Sequence, residues 1–343
     1  PLHGGVSTAI DLSTTFAQPM PGQPSTCFDY SRCGNPTVLA FQRNLASMEK
    51  AKYAFATSTG MGATLTVLSL LKQGDHLICI DDVYGGTQRY IRNVFTPQTG
   101  IDWDLVDFQD LTKARKFFKK NTKIVWIEAV TNPMLRVTDI PAVAKICKEF
   151  GALLVIDNTF MSPALMQPLA LGADVVMHSV TKYIGGHSDV LGGALMFNDD
   201  DLYDKMFYNM KTIGTYMNAF ESYIALRGAK TLGLRVERAS ENALEIAKML
   251  EKDKRVKMVV YPGLKSHPHY KIAQKLRSEP KNQSGGSGML CAYLDTDLAG
   301  TSRFMSSLKV ITLAESLGGV ESLINLPSQM THGSVPLEHR LML

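Results

Sequence analysis

Lys182 stands in the segment SVTKYIGGHSD, two hydroxyl residues close behind it and two glycines just ahead. The segment follows ADVVMHS, an apolar run that reads as a strand. Ser179, Thr181 and Lys182 would therefore gather at the carboxyl edge of a sheet, where α/β proteins collect their ligands. Hydroxyls suit a phosphate, and a desolvated lysine sheds its proton readily enough to form an imine. Taken alone, the same string is a solvated lysine before an ordinary glycine turn, so its neighbours must decide.

Asp157 ends the apolar run of LLVIDNTF and sits at the end of a buried strand. It reads either as a helix cap or as a buried acid in need of a cationic partner, and a protonated pyridine nitrogen is such a partner. In STGMGAT, Gly60 and Met61 lie on a glycine-rich turn feeding a helix start, where free amides and the helix dipole favour a phosphate. Leu65 stands where a dinucleotide fingerprint needs glycine or alanine, which disfavours an NAD enzyme. No GxxxxGK[ST] string supports a P-loop. Tyr84 in DDVYGGT follows another strand and could stack on a planar ring. His267 and His269 flank Pro268 and read as an exposed turn, so no metal is expected.

The elements that must position these groups follow from hydrophobic patterning. Short apolar runs predict strands over His76 to Ile80, Trp103 to Val106, Lys123 to Ile127, Ala152 to Ile156, Val175 to His178 and Gly193 to Phe197. Amphipathic stretches between them predict helices, among them Asp110 to Lys120 and Asp139 to Phe150, each opening on a capping aspartate. The alternation implies α/β with a mostly parallel sheet. Residues 1–34 read as an extended arm. Beyond Asp199 the pattern turns helical, with a long helix over Thr231 to Leu250 and a strand over Val256 to Tyr261. Ser278 to Gly288 reads as a surface loop.

With 343 residues the chain has room for two domains. Hydrophobic residues make up 45% and the formal net charge is +4, with the charges scattered. No basic arm points to nucleic acid, and no apolar run is long enough to cross a membrane. Five cysteines without a CxxC pair fit a reducing cytoplasmic setting better than a disulfide scaffold. No secretory signal opens the sequence, and its native amino terminus is expected to be missing.

Together, YSRCGNPT from Tyr30, STGMGAT, DDVYGGT, VTNP with Asn132, VIDNTF, SVTKY and TLAESLGG from Thr312 span nearly the whole chain. In this order they resemble the Cys/Met-metabolism family of pyridoxal-phosphate (PLP) enzymes. The resemblance implies the PLP-dependent transferase fold type I, like aspartate aminotransferase. Its parts would be an arm (1–34), a large PLP-binding domain (35–230) and a smaller, incomplete α+β carboxy-terminal domain (231–343). It implies a homotetramer built from two active dimers. By similarity, Lys182 forms the imine, Asp157 holds the pyridine nitrogen, and Gly60, Met61, Ser179 and Thr181 grip the phosphate. Tyr84 stacks on the ring, Asn132 bonds its hydroxyl oxygen, and Tyr30 and Arg32 reach the phosphate of the neighbouring subunit.

Lys182, Tyr84, Glu315 and Ser316 are the catalytic candidates. Glu315 resembles the branches acting at the γ carbon, since β-lyases carry an aromatic residue there. Gly86 departs from methionine γ-lyases, which carry a cysteine. The run VVYPGLKSHPHY tilts the same way. The expected reaction is a carbon–sulfur lyase step of transsulfuration, γ-elimination of L-cystathionine to L-cysteine, 2-oxobutanoate and ammonia. The alternatives are a γ-synthase and a PLP-fold binding protein without turnover. The segment resembling LIRxSVG, which carries the family's substrate-carboxylate arginine, is not found before Leu343, and Arg340 lies outside such a motif. Segments are therefore expected to be missing there and between Gly5 and Val6.

Overall fold

A computed structural model describes residues 4–278 and 284–331. Arg340 and residues 279–283 of the expected loop lie outside the described residues. Strands form where apolar residues run unbroken. They are β1 (Tyr53–Thr57), β2 (His76–Ile80), β3 (Asp102–Val106), β4 (Thr122–Glu128), β5 (Leu153–Asp157), β6 (Val175–Ser179) and β7 (Gly193–Phe197). They make one sheet of seven strands in the order β1-β7-β6-β5-β4-β2-β3. Ile78, Val125, Trp126, Leu154 and Val176 of its interior are fully buried, as strands covered on both faces must be. Burying each such side chain is worth about 1.5–3 kcal/mol.

The fold class is α/β, as expected, with one reversal. β7 runs antiparallel to both β6 and β1, so it alone opposes the parallel set. β1 was not foreseen. The helix at Ile140–Phe150 has its Asp139 cap, which accepts from the Ala142 amide, and ends at Gly151 in a left-handed conformation. The stretch from Asp110 is capped as expected but breaks after Ala114 into a single tight turn, Arg115–Phe117. Only Ala114 of these residues is buried, too little packing to sustain three turns. The long helix runs over Leu232–Leu250.

Beyond it, β8 (Val256–Val260) pairs antiparallel with β9 (Cys291–Leu294), and β10 (Thr312–Leu313) pairs in parallel with β11 (Leu323–Ile324). Two expectations fail here. Ser284 and Ser287, assigned to a surface loop, are buried. Gly286 between them has no side chain, so the segment closes onto the Tyr261 ring, and the Tyr261 hydroxyl donates to the Ser287 carbonyl at 3.0 Å. His267, expected in an exposed turn, is 6% exposed, and its Nδ1 accepts from the His269 amide.

Burial, with the neighbouring His269 ring, pushes the His267 pKa down to about 4. An unfolded imidazole takes up its proton near 6.5, so the neutral form stabilises the fold above that pH. The contribution disappears as pH falls from 6.5 toward 4, a loss of the order of 3 kcal/mol. Thermal unfolding of His267→Gln should therefore respond less steeply to acid than the wild type across that window. Parallel pH curves for the two proteins would refute it.

Candidate active site

β1, β2, β4, β5 and β6 all point their carboxyl ends the same way, and each is followed by a residue singled out from the sequence. After β6 the chain turns tightly. The Lys182 amide donates to the Ser179 carbonyl, and the Gly185 and Gly186 amides donate to the carbonyls of Val180 and Lys182. Arg235, from the long helix, clamps this turn by donating to the carbonyls of Tyr183 and Gly228 at 2.8 Å. Gly186 is obligatory beside it, having φ +74° and leaving the space that the guanidinium fills. Sequence reading missed Arg235, since an arginine on a helix is ordinarily a solvated charge.

The segment TLAESLGG crosses directly over the lysine. Gly318, at φ +80°, comes so close that a Cβ there would lie 2.5 Å from the Tyr183 amide nitrogen. This passage delivers Ser316 to Lys182, whose Nζ donates to the serine Oγ at 2.8 Å. Ser316 has φ +100°, a strained conformation for a residue with a side chain. Burial lowers the Lys182 pKa, and the nearby Glu315 carboxylate opposes that shift. Lys182, Ser316 and Glu315 thus converge, although well over a hundred residues separate the lysine from the other two.

Asp157, partly exposed, closes β5, and Glu128 beside it closes β4, the two being Cα partners in register. Burial raises the pKa of both, and the Asp157 charge raises that of Glu128 further. One Asp157 oxygen accepts from the Thr159 amide at 2.9 Å. Among the described residues no lysine or arginine forms an ion pair with Asp157. Tyr84, after β2, is 41% exposed, and its ring lies over Gly86, where a Cβ would meet a ring carbon at 2.5 Å. Any side chain at position 86 would push the ring aside. The Asn132 amide donates to Glu128 Oε2 at 3.0 Å, which places that residue beside the two carboxylates.

Gly60 and Met61 open the helix Gly60–Leu68, whose cap Thr59 accepts from the Gly62 amide. The first amides of any helix lack intrahelical acceptors. A Cβ on Gly60 would lie 3.3 Å from Ser179 Oγ, so this helix start and the Ser179 hydroxyl share one corner. Thr181 turns its hydroxyl to Gly192, donating to the carbonyl at 3.3 Å and accepting from the amide at 3.1 Å. The arm is rooted by Asn35, whose side-chain amide donates to the Asp11 carbonyl, and by Thr37. Tyr30 is 46% exposed, and Arg32 lies over the Tyr30 ring and donates to the Lys211 carbonyl. These two arm residues are not brought to Lys182 within the chain.

The arrangement fits PLP on its own geometry. A lysine of lowered pKa follows β6, and an acid that lacks a lysine or arginine partner among the described residues closes the neighbouring β5, with an exposed aromatic ring and a helix start at the same sheet edge. Lys182 could hold the aldehyde carbon, Asp157 the pyridine nitrogen, and Gly60, Met61 and Ser179 the phosphate.

Comparison with known proteins agrees. The chain is 47% identical over 340 residues to cystathionine gamma-lyase of Dictyostelium discoideum, covering 99% of this chain and 86% of that one. It is 43% identical to cystathionine beta-lyase of Coxiella burnetii, with 99% and 86% covered. The crystal structure of cystathionine gamma synthase from Xanthomonas oryzae pv. oryzae superposes with a TM-score of 0.92 at 38% identity, covering 99% of this chain and 86% of that one. The family described as Cys/Met metabolism PLP-dependent enzyme matches residues 1–343, and the chain, with its α/β sheet and its lysine and raised-pKa acid at the ends of neighbouring strands, belongs to that family.

Proposed function

We propose that this chain catalyses γ-elimination of L-cystathionine, with L-cysteine, 2-oxobutanoate and ammonia as products. The observation that carries the reading is the Lys182 to Ser316 hydrogen bond with the Glu315 carboxylate alongside, since that glutamate resembles the branches acting at the γ carbon. The Dictyostelium relative, named a cystathionine gamma-lyase, supports it. No helix among the described residues is long and apolar enough to cross a membrane. The free cysteines are consistent with a reducing cytoplasm.

When bound, PLP supplies an electron-withdrawing ring that spreads the negative charge developing on substrate carbon. Lys182 Nζ, free once the substrate amine has displaced it, would take the α proton, return it to the bound substrate–cofactor adduct and, neutral again, take a β proton. Its lowered pKa suits a base working near neutral pH. Ser316 Oγ holds that amine over the substrate. Asp157 would keep the pyridine nitrogen protonated, and Asn132 would bond the ring hydroxyl oxygen. Gly60, Met61 and Ser179 would fix the phosphate, and Thr181 would join them by turning its hydroxyl proton away from the Gly192 carbonyl. The Tyr84 hydroxyl gives its proton to the departing γ sulfur, which leaves as the thiol of cysteine, and water releases the rest as 2-oxobutanoate and ammonia.

Tyr30 and Arg32 complete the site of a partner subunit in this reading, two such dimers forming a homotetramer. The exposure of Tyr30 on the arm supports the assignment. The second sheet of β8 and β9 supports dividing the chain into an arm (1–34), a large domain (35–230) and a small domain (231–343).

Incubation of full-length protein with L-cystathionine should release cysteine and 2-oxobutanoate in equal amounts. Homocysteine and pyruvate would instead reveal a β-elimination. Faster condensation of an activated homoserine with cysteine would make it a γ-synthase, and PLP binding without turnover of either substrate would leave only a binding protein.

A further inference from the structure

Glu128 is 4% exposed and closes the apolar run IVWIE, as Asp157 closes its own. Its two oxygens are divided between two loops. Oε1 accepts from the Tyr84 amide at 2.7 Å, and Oε2 accepts from the Asn132 amide at 3.0 Å. Its backbone is pinned as well, since the Thr138 hydroxyl donates to the Glu128 carbonyl at 3.0 Å. Tyr84 follows β2 and Asn132 follows β4, neighbouring strands whose following segments are also tied by the Arg136–Asp81 ion pair, and Glu128 is a tie that reaches the two ring-lining residues themselves.

We infer that Glu128 is a positioning residue that braces the Tyr84 and Asn132 loops against each other, fixing the gap in which the cofactor ring lies. This rests on the assignment of Tyr84 and Asn132 to that ring and is independent of which carbon–sulfur bond is cleaved. A carboxylate is the group the geometry requires. Both partners are N–H donors, so both oxygens must accept, and a glutamine would turn its own donating amide toward one of them. An aspartate, one carbon shorter, could not span both amides.

The choice has a cost. Burial and the adjacent Asp157 charge push the Glu128 pKa well up, and the two amides only partly offset that. A glutamate serving structure alone would gain nothing from standing next to the ring acid. As a brace it must stand there, because both amides it holds lie beside the edge where β4 and β5 end.

The test uses full-length Glu128→Gln and Glu128→Asp, each compared with wild type by hydrogen–deuterium exchange and by titration of the cofactor-free protein with PLP. Both variants should exchange about 10-fold faster in peptides covering Tyr84 or Asn132, and should bind PLP about 10-fold more weakly. Peptides from β6 and β7 should be unchanged. Wild-type exchange in both loops with undiminished PLP affinity would overturn the brace. So would faster exchange spread evenly over the whole sheet, which marks a purely structural residue. The two variants guard each other, since whichever folds carries the test. Tyr84→Ala and Asn132→Ala serve as controls, and undiminished PLP affinity in both would locate the failure in the ring assignment instead.

Discussion

Replacing Lys182 by alanine should abolish the covalent link to the cofactor and lower turnover by about 10³–10⁴-fold, the upper range for loss of a positioned acid–base group. The amine is both the attachment point and the base, and no other lysine occupies the turn that Arg235 clamps. The phosphate corner at Gly60 and Ser179 is built from other residues, so PLP should still bind, now reversibly and removable by dialysis. Borohydride reduction followed by mass spectrometry should find a pyridoxyl group on Lys182 in the wild type and none on this variant. Undiminished turnover by Lys182→Ala, or an adduct elsewhere, would end the assignment.

The second large effect is expected at Asp157, with opposite signs in the two forms of the protein. In cofactor-free protein the carboxylate has no lysine or arginine partner among the described residues, and burial raises its pKa above the ordinary 3.8. An acid whose folded pKa is raised holds its proton longer than the unfolded chain does. Its ionisation therefore costs stability as pH rises from 3.8 through the folded value. Asp157→Asn carries no ionisable group, so cofactor-free Asp157→Asn should match or exceed the wild type in thermal stability at neutral pH.

The loaded enzyme should show the reverse. Without the charge, the pyridine nitrogen is not kept protonated, and turnover should fall by about 10²–10³-fold, as when a preorganised charge-stabilising group is removed. The stabilisation that PLP confers should shrink as well. Calorimetry of both forms with and without PLP decides the matter. A cofactor-free Asp157→Asn less stable than wild type, together with unaltered turnover, would mean that the carboxylate only caps the turn at Thr159.

Much of this architecture could be read from composition and order. β2 and β4 through β7 announced themselves as apolar runs, because strands buried on both faces have no polar side to show, and β3, an edge strand, was legible from WDLV. β1 did not, since YAFAT carries two alanines and no β-branched residue before its last position. The reversal of β7 was illegible for a different reason. Side-chain alternation is the same in either direction along a strand. The segment from Asp110 had a correct cap but faced solvent, and a cap cannot hold a helix without burial. At Ser284–Ser287 polar composition misled, because glycine lets backbone pack where no side chain would fit.

In the site, the residues flanking strand ends were legible as short motifs, and each motif was local. What escaped was contact between distant segments. Ser316 was marked by resemblance alone, and only the fold brings it to the Lys182 amine. Glu128 ends an apolar run as Asp157 does and carried the same signal, an acid closing a buried strand, but a pyridine nitrogen needs only one acid. Arg235 lies on a helix whose exposed face is rich in charge, and its packing against three backbone carbonyls has no trace in sequence spacing.

The lone reversed strand governs the order in which the molecule can be completed. β1 touches the sheet only through β7, Tyr53 pairing with Phe197 and Thr57 with Gly193. A chain emerging from the ribosome thus carries Tyr53–Thr57 without its one neighbour until Phe197 has been made, and closing so long a loop is slow. Gly193 then enters with no side chain to spare, since a Cβ there would lie 2.3 Å from the Thr59 carbonyl oxygen. The corner where Gly60 meets Ser179, which we assign to the vitamin's anionic end, is accordingly finished after the lysine-bearing edge has been laid down, and on that assignment newborn protein must wait for β7 before it can be charged.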